Sequence, residues 1–179
     1  MTGAAGRLRG RRVAVFLDEG FEDLEFWVTV MRLREEGANV SIVATAAGRE
    51  VRGKNGLRAS SDVAASDVRV EELDAVVVPG GWAPDKLRRH AEVLAVVRGA
   101  HDAGKIVGLI CHAGLVGISA GIVEGSRATG SLGIKDDLVN AGAIWEDSPV
   151  VIDRHFVSSR KPDDLPDFCR GILQVLGTK

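Results

Sequence analysis

The residues best suited to covalent chemistry lie in Val107-Gly-Leu-Ile-Cys-His-Ala-Gly114, where an apolar run stops at a Cys-His pair and small residues lead into a second apolar segment. The pattern predicts a buried strand, a sharp turn and a helix. A cysteine on such a turn meets the unpaired N–H groups and positive dipole end of the helix, which favour thiolate over thiol. Cys111 is therefore a candidate nucleophile, on the kind of turn that carries catalytic residues. Taken alone it reads equally as a small apolar residue closing the end of a strand. His112 follows directly, but adjacent side chains on a tight turn generally diverge, so a direct Cys-His pair is not the expected geometry. On that view the imidazole acts across a subunit interface or fills space.

A second set of groups lies at the start of the first predicted helix. Glu22 and Glu25 are one turn apart and share a face. Carboxylates there can simply complement the helix dipole. Beside a thiolate, though, a buried carboxyl is held protonated by desolvation and like charge, and can donate a hydrogen bond to sulfur. Glu25 is the expected closest partner of Cys111, with Glu22 second. Pro79-Gly80-Gly81 offers backbone N–H groups with no Cβ in the way. The N–H groups of Gly81 and His112 together could hold an oxyanion, although a Gly-Gly pair also reads as a plain turn.

Positioning these segments requires a sheet, and apolar runs alternate with helix-period segments along most of the chain, as in a parallel sheet flanked by helices. Strands are predicted at Val13–Leu17, Val40–Ala44, Ala75–Val78 and Lys105–Ile110, and helices at Leu24–Glu36, Ala91–Ala103, Ala113–Ala120 and Ile134–Ala141. The Gly53-Lys54-Asn55-Gly56 turn predicts a hairpin between Gly48 and Asp62, beside the main sheet. A late hairpin turns at Asp153-Arg154-His155, and Pro162 and Asp163 open a last helix reaching about Leu176. Ligands bind beyond the carboxyl ends of the strands in open α/β sheets. Glu19 to Glu25, Pro79 to Asp85 and Cys111-His112 all fall there and can converge.

Composition narrows the function. With 179 residues, 45% hydrophobic and 27% charged, the chain suits one globular domain. A net charge of -2 leaves nucleic-acid binding without an electrostatic footprint. Arg7, Arg9, Arg11 and Arg12 cluster beside glycines and read as a solvated tail, giving a flexible 1–11 and a single domain over 12–177. No apolar run approaches the roughly 18 residues of a membrane span, and the N-terminus lacks the apolar core of a signal peptide, so no membrane partner and a cytoplasmic location are expected. Two cysteines make no disulfide framework, and a reducing compartment suits a free thiol. Cys169, in a late amphipathic segment, reads as packing. The four histidines are scattered, and His90, His101 and His155 read as surface residues; neither a metal nor another cofactor is expected.

Taken in order, the pieces resemble the ThiJ/PfpI superfamily, and within it the PfpI-type branch of intracellular proteases and deglycases. The resemblance runs from about Arg12 to Leu176. It rests on Gly20-Phe-Glu-Asp-Leu-Glu25, Val78-Pro-Gly-Gly-Trp-Ala-Pro-Asp85, Ile110-Cys-His-Ala-Gly114, Ile118-Ser-Ala-Gly121, Ile134-Lys-Asp-Asp137 with Asn140-Ala-Gly142, and Ser158-Ser-Arg-Lys-Pro-Asp-Asp-Leu-Pro166. It implies a flavodoxin-like three-layer α/β sandwich with a mostly parallel central sheet, related to the class I glutamine-amidotransferase fold. Cys111 would stand on a strained nucleophile elbow, with an acidic residue of the first helix on its sulfur. It also implies a homodimer or a hexamer with the active site at an interface, where Asp85 of a neighbouring copy completes the Cys-His pair. Gly80, Gly81, Trp82 and Ala113 become the oxyanion- or substrate-binding positions.

The chain departs from the family pattern in four places. Asp85 stands where glutamate is usual, one methylene shorter. Ala113-Gly114 follow the histidine where Gly-Pro is usual. Ser131 replaces a frequent tyrosine, in a chain with none. Trp82 occupies an often polar position, making the mouth more apolar. The leading expectation is a cysteine-dependent hydrolase or lyase acting on peptide or small carbonyl (glyoxal or glycated) substrates, in stress protection. The alternative is a non-enzymatic redox-sensing or chaperone-like stress protein that uses an oxidisable Cys111. A third reading, an amidotransferase subunit, needs a late histidine and carboxylate, for which His155 and Asp163-Asp164 are a poor match.

Overall fold

Two strands are apolar along their whole length: β6, Ala75–Val78, and β7, Ile106–Ile110, with every residue buried. Strands apolar on both faces belong in the middle of a parallel sheet covered on two sides. The structure, a computed structural model describing residues 6–178, places them there. Among the described residues the main sheet has seven strands, in the order β10 (Val150–Asp153), β11 (Phe156–Ser159), β7, β6, β1 (Arg12–Phe16), β2 (Asn39–Ala44) and β5 (Val63–Ala64). Every neighbouring pair is parallel except the edge hairpin β10–β11. That hairpin turns through Arg154 at φ 57. The predicted hairpin beside the sheet is present as β3 (Glu50–Arg52) and β4 (Arg58–Ser60), antiparallel.

Helices cover both faces, giving the expected flavodoxin-like three layers. α1 (Asp23–Glu35) packs on β2 and against α6 (Leu165–Gly177), which lies over β7 and β11. α6 buries Leu165, Phe168, Cys169, Ile172, Leu173 and Leu176, a stripe at helical spacing that removes most of its apolar surface from water. Cys169 thus serves as packing. α3 (Ala91–Asp102) packs on β6 and β7, while α4 (Gly114–Ser119) packs against both α3 and α2 (Ala83–Leu87), with α5 (Lys135–Asn140) beyond it. A two-stranded parallel pair, β8 (Arg127–Ala128) and β9 (Ile144–Trp145), completes the described elements. β5, β8, β9 and α2 escape the sequence reading because two to five residues are too few to show a period.

The described part of the expected solvated tail is packed onto the domain. Residues 1–5 lie outside the described residues. From Gly6 onward the segment is anchored: Leu8 is wholly buried and its N–H donates to the Glu36 carbonyl at 2.8 Å. Two of the arginines are bound as well. Arg11 pairs with Asp74 at 3.0 Å and Arg12 with Glu72 at 2.7 Å. Glycine spacing suggested freedom, but one leucine able to reach the core outweighs it. Among the described residues no helix is long and apolar enough to cross a membrane.

Leu8→Ala is expected to cost about 2–4 kcal/mol in unfolding free energy, read by chemical denaturation. A freely solvated segment would give a change within about 0.5 kcal/mol.

Candidate active site

β7 ends at Ile110 in extended conformation, and the chain turns through Cys111-His112-Ala113 into α4. Cys111 takes φ 62, in the left-handed region that a side chain makes costly by about 1–3 kcal/mol. The strained elbow is therefore present. It sets the sulfur against two neighbouring loops rather than along the sheet.

Those loops are joined to one another. After β1, Phe21 makes a β-bridge with Gly81; the Glu22 N–H donates to the Gly80 carbonyl at 3.0 Å and the Trp82 N–H to the Gly20 carbonyl at 2.7 Å. Gly81 sits at φ 80, and a Cβ there would lie 2.4 Å from the Gly20 oxygen. A Cβ on Gly80 would lie 2.6 Å from Glu25 Oε2, 2.7 Å from Cys111 Cβ and 3.1 Å from Sγ. Only glycines let carboxyl, sulfur and backbone meet at this spacing.

Glu25 is fully buried and directed at the elbow by its place in the first turn of α1. Its Oε2 accepts from the Gly80 N–H at 2.7 Å, while Oε1 has no partner of good geometry. The carboxyl and the thiol each perturb the other directly. Burial, reinforced by Glu22, pushes the Glu25 carboxyl up to about 7 against the pull of the Gly80 N–H. Burial, then the neighbouring Glu25 charge, pushes the Cys111 thiol up to about 12, although the N–H groups of Gly81 and His112 point at the sulfur and pull it down. The expected preference for thiolate at a helix N-terminus is thus reversed in the isolated thiol, because desolvation outweighs the aligned N–H groups.

The histidine expectation also changes. His112 Nδ1 lies 3.2 Å from Cys111 Sγ, so the adjacent side chains converge instead of diverging. The left-handed cysteine folds its side chain back toward the next residue. Burial, with Lys54 adding to it, lowers the imidazole's proton affinity, so it stands neutral beside the thiol.

The remaining predicted residues occupy distinct places. Glu22 is buried and caps α1: one oxygen accepts from the Glu25 N–H at 2.7 Å and the other from Asn55 Nδ2 at 3.3 Å. It holds Glu25 in position and does not itself reach the sulfur through any hydrogen bond. The Gly80 N–H is taken up by Glu25, which leaves Gly81 and His112 as the donors at the elbow. Ala113 is wholly buried in the turn that follows Cys111. Trp82 is 66% exposed at the mouth. Asp85 lies exposed on α2, ion-paired with Arg89 one turn on. Within this single chain its carboxylate makes no hydrogen bond or ion pair with His112.

Sequence reasoning placed the β3–β4 turn but missed its attachment to the site. Asp23 accepts from the N–H groups of Asn55 at 2.8 Å and Leu57 at 2.7 Å, and Lys54 N–H donates to the Phe21 carbonyl at 2.9 Å. The tip is thereby fastened to the start of α1. The available signal was a buried-type acid between two glutamates, opposite a Gly-Lys-Asn-Gly turn.

Comparison with known proteins agrees with this geometry. The profile of the DJ-1/PfpI family matches residues 11–175. A protein of Thermococcus kodakarensis named as a deglycase is 38% identical over 165 residues, covering 92% of this chain and 99% of the relative. A Bacillus subtilis protein named provisionally as a cysteine protease is 37% identical over 166 residues, covering 93% and 98%. A crystal structure of a two-domain protein from Anabaena variabilis, with DJ-1/ThiJ/PfpI-like and ferritin-like domains, superposes with a TM-score of 0.92 at 36% identity, covering 93% of this chain and 48% of that one. A profile match over nearly the whole length, on a fold that carries its cysteine on a left-handed elbow, places this chain in the DJ-1/PfpI family.

Proposed function

We propose that this chain is a cysteine-dependent hydrolase or lyase of PfpI type, acting on peptide or small carbonyl (glyoxal or glycated) substrates. The observation that carries the reading is Cys111 at φ 62, with Sγ 3.2 Å from His112 Nδ1, beside Glu25, and faced by two backbone N–H groups. The names of the relatives, deglycase and cysteine protease, support the same class.

For an amide substrate the steps follow from the groups present. Neutral His112 takes the thiol proton as Sγ bonds to the carbonyl carbon, and the carbonyl electron pair moves onto oxygen. Charge leaves sulfur as it gathers on that oxygen, so the N–H groups of Gly81 and His112 pass from one to the other. The C–N bond then breaks, and the amine departs with the proton that His112 carried. Water hydrolyses the thioester, releasing the acid and restoring the thiol. Glu25, when protonated, keeps a second negative charge away from the sulfur. Asp85 of a second copy completes the site in this reading and steadies the His112 cation.

The redox-sensor alternative requires an accessible thiol that ionises easily. Cys111 is 9% exposed and its thiol is pushed upward by burial, which counts against spontaneous oxidation, whereas His112 Nδ1 at 3.2 Å can take the proton as a bond to substrate forms, which favours the enzymatic reading.

Cys111→Ser is expected to lower turnover of methylglyoxal or of an aminopeptidase-type substrate by at least about a hundredfold, since a buried hydroxyl is a far poorer nucleophile than a thiol. Undiminished turnover contradicts the proposal.

A further inference from the structure

Beside the elbow lies a cavity of about 340 Å³, bordered among others by Ser131, Leu132, Trp145, Asp147, Arg160 and Lys161. Its near wall is tied to the nucleophile: the Ser131 N–H donates to the Cys111 carbonyl at 3.1 Å. A Cβ placed on Gly133 would stand 3.6 Å from His112 Nε2 and 3.7 Å from Ser131 Oγ. The imidazole thus spans from the sulfur, at Nδ1, to the loop bounding the cavity, at Nε2. Once Nδ1 has taken the thiol proton the imidazolium carries a proton on Nε2 as well, and a group that accepts the Nε2 proton as it is expelled leaves toward that loop.

The far wall carries two cations, Arg160 and Lys161, each paired with carboxylates, and is anchored. Arg160 directs Nε and Nη2 onto Asp164 at 2.9 and 3.2 Å, and Asp164 is itself buried. This two-point contact fixes the guanidinium plane and turns Nη1 outward. Nη1 meets Asp147 at 2.6 Å, on a side chain 75% exposed. Lys161 Nζ lies 3.0 Å from Asp163, which is also exposed. Asp164 therefore belongs to the scaffold, whereas Asp147 and Asp163 are solvated carboxylates in weak, exchangeable pairs. Asp147 occupies the edge of Arg160 that an incoming carboxylate would take. Leu132, 79% exposed, and the half-buried Trp145 supply an apolar wall for the carbon skeleton between.

We propose that this cavity is the leaving-group subsite, and that it selects substrates whose leaving portion is an amino acid with a free α-carboxylate, bound by Arg160 Nη1 and Lys161 in place of Asp147. The inference rests on the cysteine-hydrolase reading above, from which the position of the leaving group follows. It narrows the substrate class to amides and related adducts of free amino acids.

The test uses binding and does not need turnover. N-acetylleucine and N-acetylleucinamide, which differ only in the carboxylate, are compared as protectors of Cys111 against iodoacetamide, followed by mass spectrometry of the Cys111 peptide. In the wild type, N-acetylleucine is expected to protect at a concentration about tenfold lower. Lys161→Gln, at an exposed position, shrinks that ratio to about threefold or less. Asp147→Asn, also exposed, removes the competing carboxylate and widens it. Equal protection by the two compounds in the wild type overturns the subsite, as does a preference that neither substitution alters. Full turnover by Cys111→Ser would instead overturn the hydrolase reading and leave these binding ratios standing, so the two failures are distinguishable.

Discussion

The left-handed backbone at Cys111 is the constraint on which the rest of the site depends. A non-glycine residue at φ 62 persists only where surrounding contacts over-determine it. Here β7 is locked between β6 and β11, and the turn that follows is pinned by the Ser131 N–H on the Cys111 carbonyl. The sulfur is thereby delivered to a point where Gly80, Gly81 and the first turn of α1 already meet. Were Cys111 in ordinary extended or helical conformation, neither Glu25 nor His112 would share that point with it.

Convergence has an electrostatic consequence. Two acids that share one buried site cannot both ionise easily, so the first proton leaves the Glu25–Cys111 pair near 7 and the second near 12. The singly charged pair has two forms, thiolate with carboxylic acid or thiol with carboxylate. The Gly81 and His112 N–H groups favour the first, and the Gly80 N–H favours the second. With burial and the Glu25 charge both raising it, the thiol keeps its proton at neutral pH until a base takes it. His112, neutral because it is buried, offers a place for the same proton.

Much of this was legible in the chain because the deciding signals are local. The unbroken apolar runs of β6 and β7 indicate a parallel sheet, and the topology rule for strand ends brings Glu25, Gly80-Gly81 and Cys111 to one place. What stayed hidden depends on geometry that spacing does not encode. The convergence of Cys111 and His112 follows from one dihedral angle, and the raised thiol follows from desolvation that no motif records. That Glu22 caps the first helix, and that Ala113 is wholly buried, likewise follow from geometry and not from spacing. Leu8 shows the converse, an apolar residue in a glycine- and arginine-rich stretch that proves to be core.

The central claim, that Glu25 sets the ionisation of Cys111, is tested most directly by the pH dependence of Cys111 alkylation by iodoacetamide in the wild type and in Glu25→Gln. In the wild type burial and the Glu25 charge hold the proton on the thiol, so alkylation stays slow through about pH 9 and climbs only above it. In Glu25→Gln the charge that raises the thiol is gone, so the climb begins at lower pH. Coincident profiles in the two proteins, or a climb that moves to higher pH in Glu25→Gln, would contradict the account.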